Sequence, residues 1–343
     1  MNVLKESLSH LKPYATLKRN EGIKLDSNEG ENYLLQEGIH LDLPFERYPE
    51  NHAETLKAAI AKTLGVDPAQ LLTGNGSSEI LEWVIKSVIG PGETILTVEP
   101  TFVMYKFYAT IHACDYQAIP LNDDFSFPEE AFLKAIDALS PKLIILCSPN
   151  NPTGGLIDPD LIRTILQKAP GLVVLDEAYI EFATTQPTFI HDVKDYPNLL
   201  VTRTFSKAYG LASIRLGYAV GSRELIEPLT RTKTPYNVNA LSQAIGVKAI
   251  QKQPHVKTYI KSVIDRRDAL KKDLEAYGYH VYPSAANFLF MRSPYEGFID
   301  DVRARGILIR PFPLDEMYVR ISIGSESDIA AFKDALKEIN HDL

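Results

Sequence analysis

The sequence predicts an α/β fold with two parts: a large domain built on a doubly wound, mostly parallel sheet, and a smaller α+β domain. With 343 residues the chain is too long for one small core, which favours two domains. Short segments that are apolar throughout alternate with helical ones, as they do when parallel strands are buried on both faces. The apolar segments are residues 95–98, 143–147, 172–175 and 199–202.

Helices are predicted where apolar residues recur every three or four positions. Residues 52–64 carry Leu56, Ile60 and Leu64 on one stripe, and residues 77–89 show the same spacing. After about residue 240 the pattern changes, and a helix long enough to bridge two domains precedes shorter segments. The predicted elements of this part are helices 241–251, 256–277, 298–305 and 328–339, and strands 287–291, 307–310 and 318–323.

The first 40 residues lack periodicity and are interrupted by Pro13 and Gly22, so they are predicted to form an arm with short pieces of structure. We assign residues 1–40 to this arm and part of the small domain, 41–245 to the large domain and 246–343 to the small domain. The arm is expected to pack against the small domain or against a partner subunit.

Composition excludes several classes of protein. The net charge of −8 argues against a nucleic-acid-binding face, which would be basic. No apolar run approaches the roughly 20 residues needed to cross a bilayer. The first residues include Lys5, Glu6 and His10 instead of the apolar core of a signal peptide. Cys114 and Cys147 are expected to be reduced. We therefore expect a cytoplasmic protein that acts on small molecules, without nucleic-acid or membrane partners and without a metal site.

Lys207 follows the apolar segment 199–202 and lies among small and hydroxylated residues, eight positions before Arg215. A lysine in a loop at a strand end is usually a solvated surface charge, and Lys207 alone would be interpreted so. An amine that forms a Schiff base must be partly deprotonated, which burial or a nearby cation brings about. Because Arg215 could supply that effect and also bind an anion, Lys207 is a candidate nucleophile.

Two further candidates follow neighbouring apolar segments. Asp176 ends the segment 172–175, at the strand end where open α/β sheets bind ligands, although a helix N-cap explains it equally well. Tyr179 could approach the same ligand. The residues 148–154 have the composition of a plain turn. Their position at a strand end would nevertheless let an asparagine there donate a hydrogen bond to a bound group.

A glycine-rich turn that closes with Gly76 precedes the second predicted helix. Backbone N–H groups and the helix dipole favour an anion there. A dinucleotide-binding motif is a poor match, because Glu79 occupies the position of its third glycine. Ser77 or Ser78 would also suit an N-cap. Phe102 could stack on a planar ring, although a core aromatic is the commoner outcome.

Together these candidates supply an amine, a carboxylate, a hydrogen-bond donor and an anion cradle with an arginine. Pyridoxal 5′-phosphate (PLP) requires this set. A carboxylate keeps its pyridine nitrogen protonated, so that the ring can draw electrons from the substrate's α-carbon. The residues therefore predict PLP as the cofactor, with Lys207 holding it as a Schiff base.

Over nearly its whole length the chain resembles the fold-type-I PLP-dependent aminotransferases, and within them the histidinol-phosphate aminotransferases. The most specific matches are Asn-Asn-Pro-Thr-Gly at 150–154, Asp-Glu-Ala-Tyr at 176–179, and the stretch 203–218. The resemblance implies that Lys207 is the catalytic residue. The expected cofactor-binding residues are Tyr48, Gly76, Ser77, Ser78, Phe102, Asn151, Asp176, Tyr179, Thr204, Ser206 and Arg215.

The resemblance also assigns roles. Residues that match Ser206 and Arg215 bind the cofactor phosphate, with help from the loop that matches 76–78, and those that match Asn151 and Tyr179 contact the ring oxygen O3′. The tyrosine that matches Tyr48 reaches the phosphate in the neighbouring subunit, which implies a homodimer with shared active sites. Near its start the family often has Ser-Asn-Glu-Asn-Pro; here residues 27–31 are Ser-Asn-Glu-Gly-Glu, without the Asn-Pro.

The expected substrate-binding residues are Tyr14, Asn28, Arg310 and Arg320. Arg320 lies in an alternating segment in which Val319 and Ile321 point to the opposite face. In the family the matching arginine binds the anionic end of the substrate, and its rigid fork suits both carboxylate and phosphate. A surface salt bridge is the commonest alternative role of such arginines.

The resemblance implies transamination between histidinol phosphate and 2-oxoglutarate, which gives imidazole-acetol phosphate and glutamate in histidine biosynthesis. Aromatic amino-acid aminotransferases share much of the pattern, and decarboxylases and lyases of the same fold keep the cofactor residues. A PLP-binding regulatory domain would require an additional basic helix-turn-helix segment, for which the sequence has no room.

Overall fold

Two sheets organise the chain. They are seen in a computed structural model that describes residues 8, 11, 22–36, 38 and 40–342. The strands are β1 (Ile23–Leu25), β2 (Leu71–Gly74), β3 (Thr94–Glu99), β4 (Asp115–Pro120), β5 (Leu143–Cys147), β6 (Leu172–Asp176), β7 (Leu199–Thr204), β8 (Gly217–Gly221), β9 (Phe288–Arg292), β10 (Ile307–Pro313) and β11 (Met317–Ser322).

Ten α-helices lie among these described residues and connect or cover the strands. They are α1 (Glu54–Leu64), α2 (Ser77–Val88), α3 (Met104–Ile111), α4 (Glu129–Leu139), α5 (Pro159–Lys168), α6 (Arg223–Arg231), α7 (Ala240–Ile250), α8 (Gln253–Ala276), α9 (Phe298–Ala304) and α10 (Glu326–Asp342). α8 is the predicted long helix, and it starts three residues earlier than expected because Pro254 is tolerated in the first helical turn.

The large sheet has seven strands in the order β2-β8-β7-β6-β5-β3-β4. All are parallel except β8, which runs antiparallel to both its neighbours. Both faces are buried: Ile144 and Leu146 of β5 belong to one apolar cluster, whereas Ile145 belongs to the other. The predicted doubly wound, mostly parallel sheet is confirmed.

The small sheet has four strands in the order β1-β10-β11-β9. β1 comes from the N-terminal arm and pairs in parallel with β10, so that Ile23 lies opposite Ile307. The arm therefore contacts the part of the chain that the sequence analysis assigned to the small domain. The predicted domain boundaries stay predictions, because one apolar cluster contains residues of both sheets, such as Leu146 and Val319.

Sequence analysis did not predict β2, β4 or β8. β4 is an edge strand of half-buried residues, so it lacks the apolar run of a central strand. β8 is short and begins and ends with glycine, which is uncommon in strands. In the part of the chain that is described, no helix has the length and apolarity that spanning a bilayer would require. Cys114 and Cys147 are both free thiols, as expected, and Cys147 is buried.

The topology brings the predicted site residues together. β5, β6 and β7 run in parallel and in register, so that Cys147 lies opposite Asp176 and Asp176 opposite Thr202. Their carboxyl ends therefore form one edge, where open α/β sheets bind ligands. The arm and the small sheet lie against the same edge, since Ser27 of the arm contacts Lys207 and Arg320 of the small sheet contacts Asn151.

Candidate active site

A pocket of about 240 Å³ lies at the carboxyl edge of the large sheet. It gathers the predicted catalytic lysine and all the predicted cofactor-binding residues except Gly76, which adjoins it, and Tyr48. The lining residues are Ser27, Glu29, Ser77, Ser78, Phe102, Cys147, Asn151, Asp176, Ala178, Tyr179, Thr204, Ser206, Lys207, Ala212 and Arg215.

Lys207 lies three residues beyond the end of β7, with its amine inside the pocket. Nζ donates a hydrogen bond to the carbonyl oxygen of Ser27 at 3.0 Å and lies 5.7 Å from the centre of the Tyr179 ring. Burial, followed by the charges of Arg320 and Arg215, lowers the pKa of Lys207 to about 7. A substantial fraction of these amines is therefore neutral at physiological pH, as a nucleophile must be. Lys207 is not the solvated surface charge that its loop position alone would suggest.

The arm reaches Lys207 at the point where the sequence departs from the family's motif. A Cβ at Gly30 would lie 2.8 Å from the carbonyl oxygen of Lys207 and 2.9 Å from the Cα of Gly210. These distances are too short for any other residue, so glycine at this position lets the arm pack directly on the lysine loop.

Asp176 ends β6 with its side chain buried. Its carboxylate accepts hydrogen bonds from the Tyr105 hydroxyl at 2.8 Å, the Thr202 hydroxyl at 3.0 Å and the Ala178 N–H at 3.2 Å. The following short 3₁₀ helix is capped at Tyr179, so the alternative role of Asp176 as a helix N-cap is wrong. Burial raises the pKa of Asp176, and the bonds from Tyr105 and Thr202 oppose that effect.

The anion end of the pocket is the start of α2. Gly76 occupies the cap position with a φ of 81°, and no side chain caps the helix. Ser77 and Ser78 are therefore the first helical residues, and the N-cap alternative for them is wrong. The Arg215 guanidinium donates to the Ser206 hydroxyl at 3.4 Å. It packs directly on Gly76, because a Cβ at that position would lie only 2.6 Å from its Nη2. The dipole of α2, the N–H groups of its first turn and the Arg215 guanidinium together favour the binding of a phosphate.

Glu79, at the position where a dinucleotide motif has glycine, holds this turn in shape. Its carboxylate accepts hydrogen bonds from the Asn75 N–H and from the Asn237 side-chain amide, each at 2.7 Å. Asn237 in turn accepts a bond from Lys233, whose Nζ also reaches the Asn51 backbone carbonyl at 2.6 Å. Sequence analysis used Glu79 only to exclude a motif and missed this positioning role.

Asn151 and Tyr179 are held by residues from the arm and the small sheet. The Asn151 side-chain oxygen accepts a short hydrogen bond from Arg320, which leaves its NH₂ group as the donor for a ligand. The Tyr179 hydroxyl accepts a bond from the Asn28 amide at 3.2 Å, and burial raises its pKa to about 12. Asn28, a predicted substrate residue, lies behind Tyr179, where its N–H donates to Ser322 at 2.8 Å.

Arg320 is buried on β11, with 7% of its surface exposed, so a surface salt bridge is excluded. Val319 and Ile321 point into the core and Arg320 to the opposite face, as the alternation predicted. Its guanidinium also donates to the Asp26 carbonyl at 2.6 Å and lies 5.5 Å from the centre of the Phe312 ring. The packing fixes the orientation of the fork.

Arg310 lies directly opposite Arg320 on β10. It does not line the 240 Å³ pocket but a neighbouring cavity of about 1040 Å³, whose walls include Phe102, Phe312 and Tyr318. Phe102 lines both spaces and makes an edge contact with Tyr105 at 5.6 Å. The two spaces therefore adjoin at Phe102.

One predicted residue is placed elsewhere. Tyr48 lies outside both spaces, is 81% exposed and stacks on Tyr236 with ring centres 4.6 Å apart. Tyr14 lies outside the described residues. Sequence analysis missed Thr202 and Tyr105, which hold Asp176. The strand register could have indicated Thr202, which lies opposite Asp176, whereas Tyr105 on α3 gave no sequence signal.

A lysine with a depressed pKa, a buried carboxylate and an anion cradle around one pocket define a PLP-binding class of enzyme. The sequence model of the family "Aminotransferase class I and II" matches residues 26–336, so the chain belongs to that family. It is a PLP-dependent aminotransferase.

Relatives agree with this placement. A histidinol-phosphate aminotransferase of Caldanaerobacter subterraneus subsp. tengcongensis is 35% identical, over 98% of this chain and 99% of its own length. The crystal structure of histidinol-phosphate aminotransferase from Sinorhizobium meliloti in complex with pyridoxal-5′-phosphate has a TM-score of 0.86 at 23% identity, over 100% and 98% of the two chains. That of L-threonine-O-3-phosphate decarboxylase from Porphyromonas gingivalis has a TM-score of 0.73 at 26% identity, over 85% and 92%.

The pocket fits PLP on its own chemistry. Asp176 is a buried carboxylate, and no lysine, arginine or histidine of the described chain forms an ion pair with it. An unpaired buried carboxylate is costly, and a protonated ring nitrogen is the partner that would balance it. At the other end Arg215 and the start of α2 are a matching site for a phosphate.

Proposed function

We propose that the protein transfers an amino group between histidinol phosphate and 2-oxoglutarate, which gives imidazole-acetol phosphate and glutamate in histidine biosynthesis. One observation carries the proposal: Arg320, buried and fixed in orientation, lies opposite Arg310, which lines an aromatic-walled cavity beside the cofactor pocket. The relative from Caldanaerobacter subterraneus subsp. tengcongensis, a histidinol-phosphate aminotransferase 35% identical over nearly the whole chain, supports the same substrate.

Lys207 holds the cofactor through Nζ as a Schiff base. When bound, PLP supplies an electron sink for the charge that develops at the substrate's α-carbon. As a free amine with a pKa lowered to about 7, Nζ would be suited to take the proton that leaves the substrate's α-carbon and to hold it for return. Asp176 provides the negative charge that holds a proton at the ring nitrogen, and Tyr105 and Thr202 keep its carboxylate in place.

The remaining pocket residues bind and orient the cofactor. The phosphate is bound by Ser77, Ser78, Ser206 and Arg215, with Thr204 supporting the loop through a 3.0 Å bond from the Ser206 N–H. Gly76 keeps the approach open for Arg215.

The ring of the cofactor has its own partners. Asn151 and Tyr179 would hold the ring oxygen, and Phe102 would pack on the ring. The short bond from Arg320 to Asn151 links substrate binding to the orientation of this donor.

Arg320 binds the α-carboxylate of glutamate in one half-reaction and the phosphate end of the amino alcohol in the other, since a guanidinium fork suits both anions. Arg310 adds charge for the dianionic phosphate. Asn28 acts through Tyr179 and Ser322, and Tyr14 is proposed to donate a further hydrogen bond from the arm. The aromatic walls of the 1040 Å³ cavity suit an imidazole or phenyl side chain.

A homodimer is part of the proposal. Several large apolar side chains are exposed on the single chain, among them Phe45, Tyr48, Tyr236 and Leu241. Their exposure favours a subunit interface that covers them. In a two-fold dimer Tyr48 would reach the phosphate in the other subunit. We place the enzyme in the cytoplasm.

The deciding experiment is turnover of the purified holoenzyme with 2-oxoglutarate as acceptor and histidinol phosphate or phenylalanine as donor. The proposal expects kcat/KM for histidinol phosphate to exceed that for phenylalanine. The reverse order would make the protein an aromatic amino-acid aminotransferase. Release of carbon dioxide without conversion of the cofactor to its amine form would instead indicate a decarboxylase.

A further inference from the structure

Phe125 has an unusual backbone conformation. It lies in the loop between β4 and α4 with a φ of 61°, a left-handed value that bulky side chains rarely adopt. Hydrogen bonds within the loop hold it there: the Phe125 N–H donates to the Asn122 carbonyl at 2.8 Å, and the Asn122 N–H to the Ser126 carbonyl at 3.1 Å. The Asn122 amide also donates to the Ser126 hydroxyl at 2.8 Å. Such strain persists only where the surroundings fix it, often at ligand-binding sites.

The Phe125 ring belongs to the large-sheet side but packs on three aromatic residues of the small-sheet side. Its centre lies 4.8 Å from that of Tyr282, 5.2 Å from Phe290 and 5.2 Å from Tyr318. All three contacts are edge-on, a favourable geometry for aromatic pairs. Tyr318 lies on β11 two positions before Arg320, on the same face of the strand. The Phe125 ring is therefore inserted beside the strand that carries the substrate arginine.

Phe125 lies between two cavities. Together with Leu121 it lines both the 1040 Å³ cavity that Arg310 also lines and a second cavity of about 390 Å³. Phe127, His280 and Tyr282 belong only to the second cavity. Tyr318 belongs only to the first. The ring of Phe125 is thus part of the wall between them.

We propose that Phe125 is a specificity-determining residue that forms part of the wall of the substrate cavity and limits the size of the donor's side chain. The proposal rests on the proposed function, because it requires that the donor's side chain occupy the cavity beside Arg310. Without the ring the two cavities would join, and a larger side chain would find space. The strained loop gives the wall a fixed position that a relaxed, mobile loop would not.

The test compares donors of different size in single-turnover half-reactions of the holoenzyme. Glutamate, whose side chain is small, is the internal reference, and tryptophan is the large donor. We expect Phe125→Ala to raise the tryptophan-to-glutamate ratio of kcat/KM about tenfold, the smaller end of the discrimination that pocket shape provides. Phe125→Leu, which keeps most of the bulk, should shift the ratio less and serves if the alanine variant does not fold.

Phe127→Ala is the matched control, because Phe127 lies in the same loop but only on the second cavity, with its ring 4.9 Å from Phe132. Its ratio should equal that of the wild type. An unchanged ratio in both Phe125 variants, or an equal shift in Phe127→Ala, would overturn the proposal. Histidinol phosphate is not used, so failure of the proposed substrate in the wild-type assay is distinguishable from failure of this inference.

Discussion

The cofactor side and the substrate side of the active site are built differently. Asp176 and Lys207 lie at or just after the ends of parallel strands, so each belongs to a short local motif. Arg320, by contrast, lies in the middle of an antiparallel strand, and its partners Asn151 and Asp26 are 169 and 294 residues away in the chain. The cofactor residues are therefore carried by the large sheet, with supporting contacts from the arm to Lys207 and Tyr179, whereas the substrate side exists only once both sheets and the arm have come together.

The comparison predicts that changes on the cofactor side impair both half-reactions equally. Asp176→Asn keeps the shape and removes the negative charge, and we expect both half-reactions to slow by about 10³-fold with the cofactor still bound. Tyr105→Phe keeps the carboxylate and removes one hydrogen bond to it, so a loss of roughly tenfold is expected. Stopped-flow absorbance of the cofactor measures both. Kinetics like those of the wild type for Asp176→Asn would remove Asp176 from this role.

Changes on the substrate side should separate the two half-reactions. Arg320→Ala should slow reaction with glutamate and with histidinol phosphate by about 10²-fold each, because the fork binds an anion in both. Arg320→Lys tests the fork: it retains the charge but not the bidentate geometry, and should recover only part of the loss.

Arg310→Ala should affect histidinol phosphate about tenfold more than glutamate. Paired single-turnover kinetics with the two donors give the ratio. Small and equal losses for Arg310→Ala and Arg320→Ala would mean that both arginines are structural, and the phosphate-ester substrate would have to be abandoned.

On the phosphate cradle the expected effect is on cofactor affinity instead of rate. Glu79→Ala removes the acceptor of the bonds from Asn75 and Asn237, so the turn before α2 should loosen and the dissociation constant of PLP should rise by about tenfold. Glu79→Gln keeps a carbonyl oxygen as acceptor and should restore most of the affinity. The measurement is reconstitution of the apoenzyme with PLP, followed by absorbance. If the alanine variant bound PLP as tightly as the wild type, Glu79 would have no positioning role.

The difference between the two sides also explains what the sequence could predict. The four apolar segments and the polar residues after them are local patterns, and they gave the large sheet and the position of Asp176 and Lys207. The supporting contacts of Tyr105, Asn28 and Phe125 could not be predicted, because each depends on packing between elements distant in the chain. The strands β2 and β8 were missed because their short, glycine-containing sequences lack an apolar run.

The placement of Arg320 was predictable only in part. Alternation of apolar and polar residues indicated the face of the strand on which Arg320 lies. The resemblance to the family implied that it binds the anionic end of the substrate. The length of β10 and its pairing with the arm had no such signal, since β1 has only three residues.

The most direct test of the account is to locate the covalent attachment of the cofactor. Borohydride reduction of the holoenzyme should abolish its visible absorbance band, and mass spectrometry of a digest should then find the reduced cofactor on the peptide that contains Lys207 and on no other. Lys207→Ala should lose the covalent label and transamination together. A label on a different lysine, or near-normal turnover by Lys207→Ala, would contradict the account.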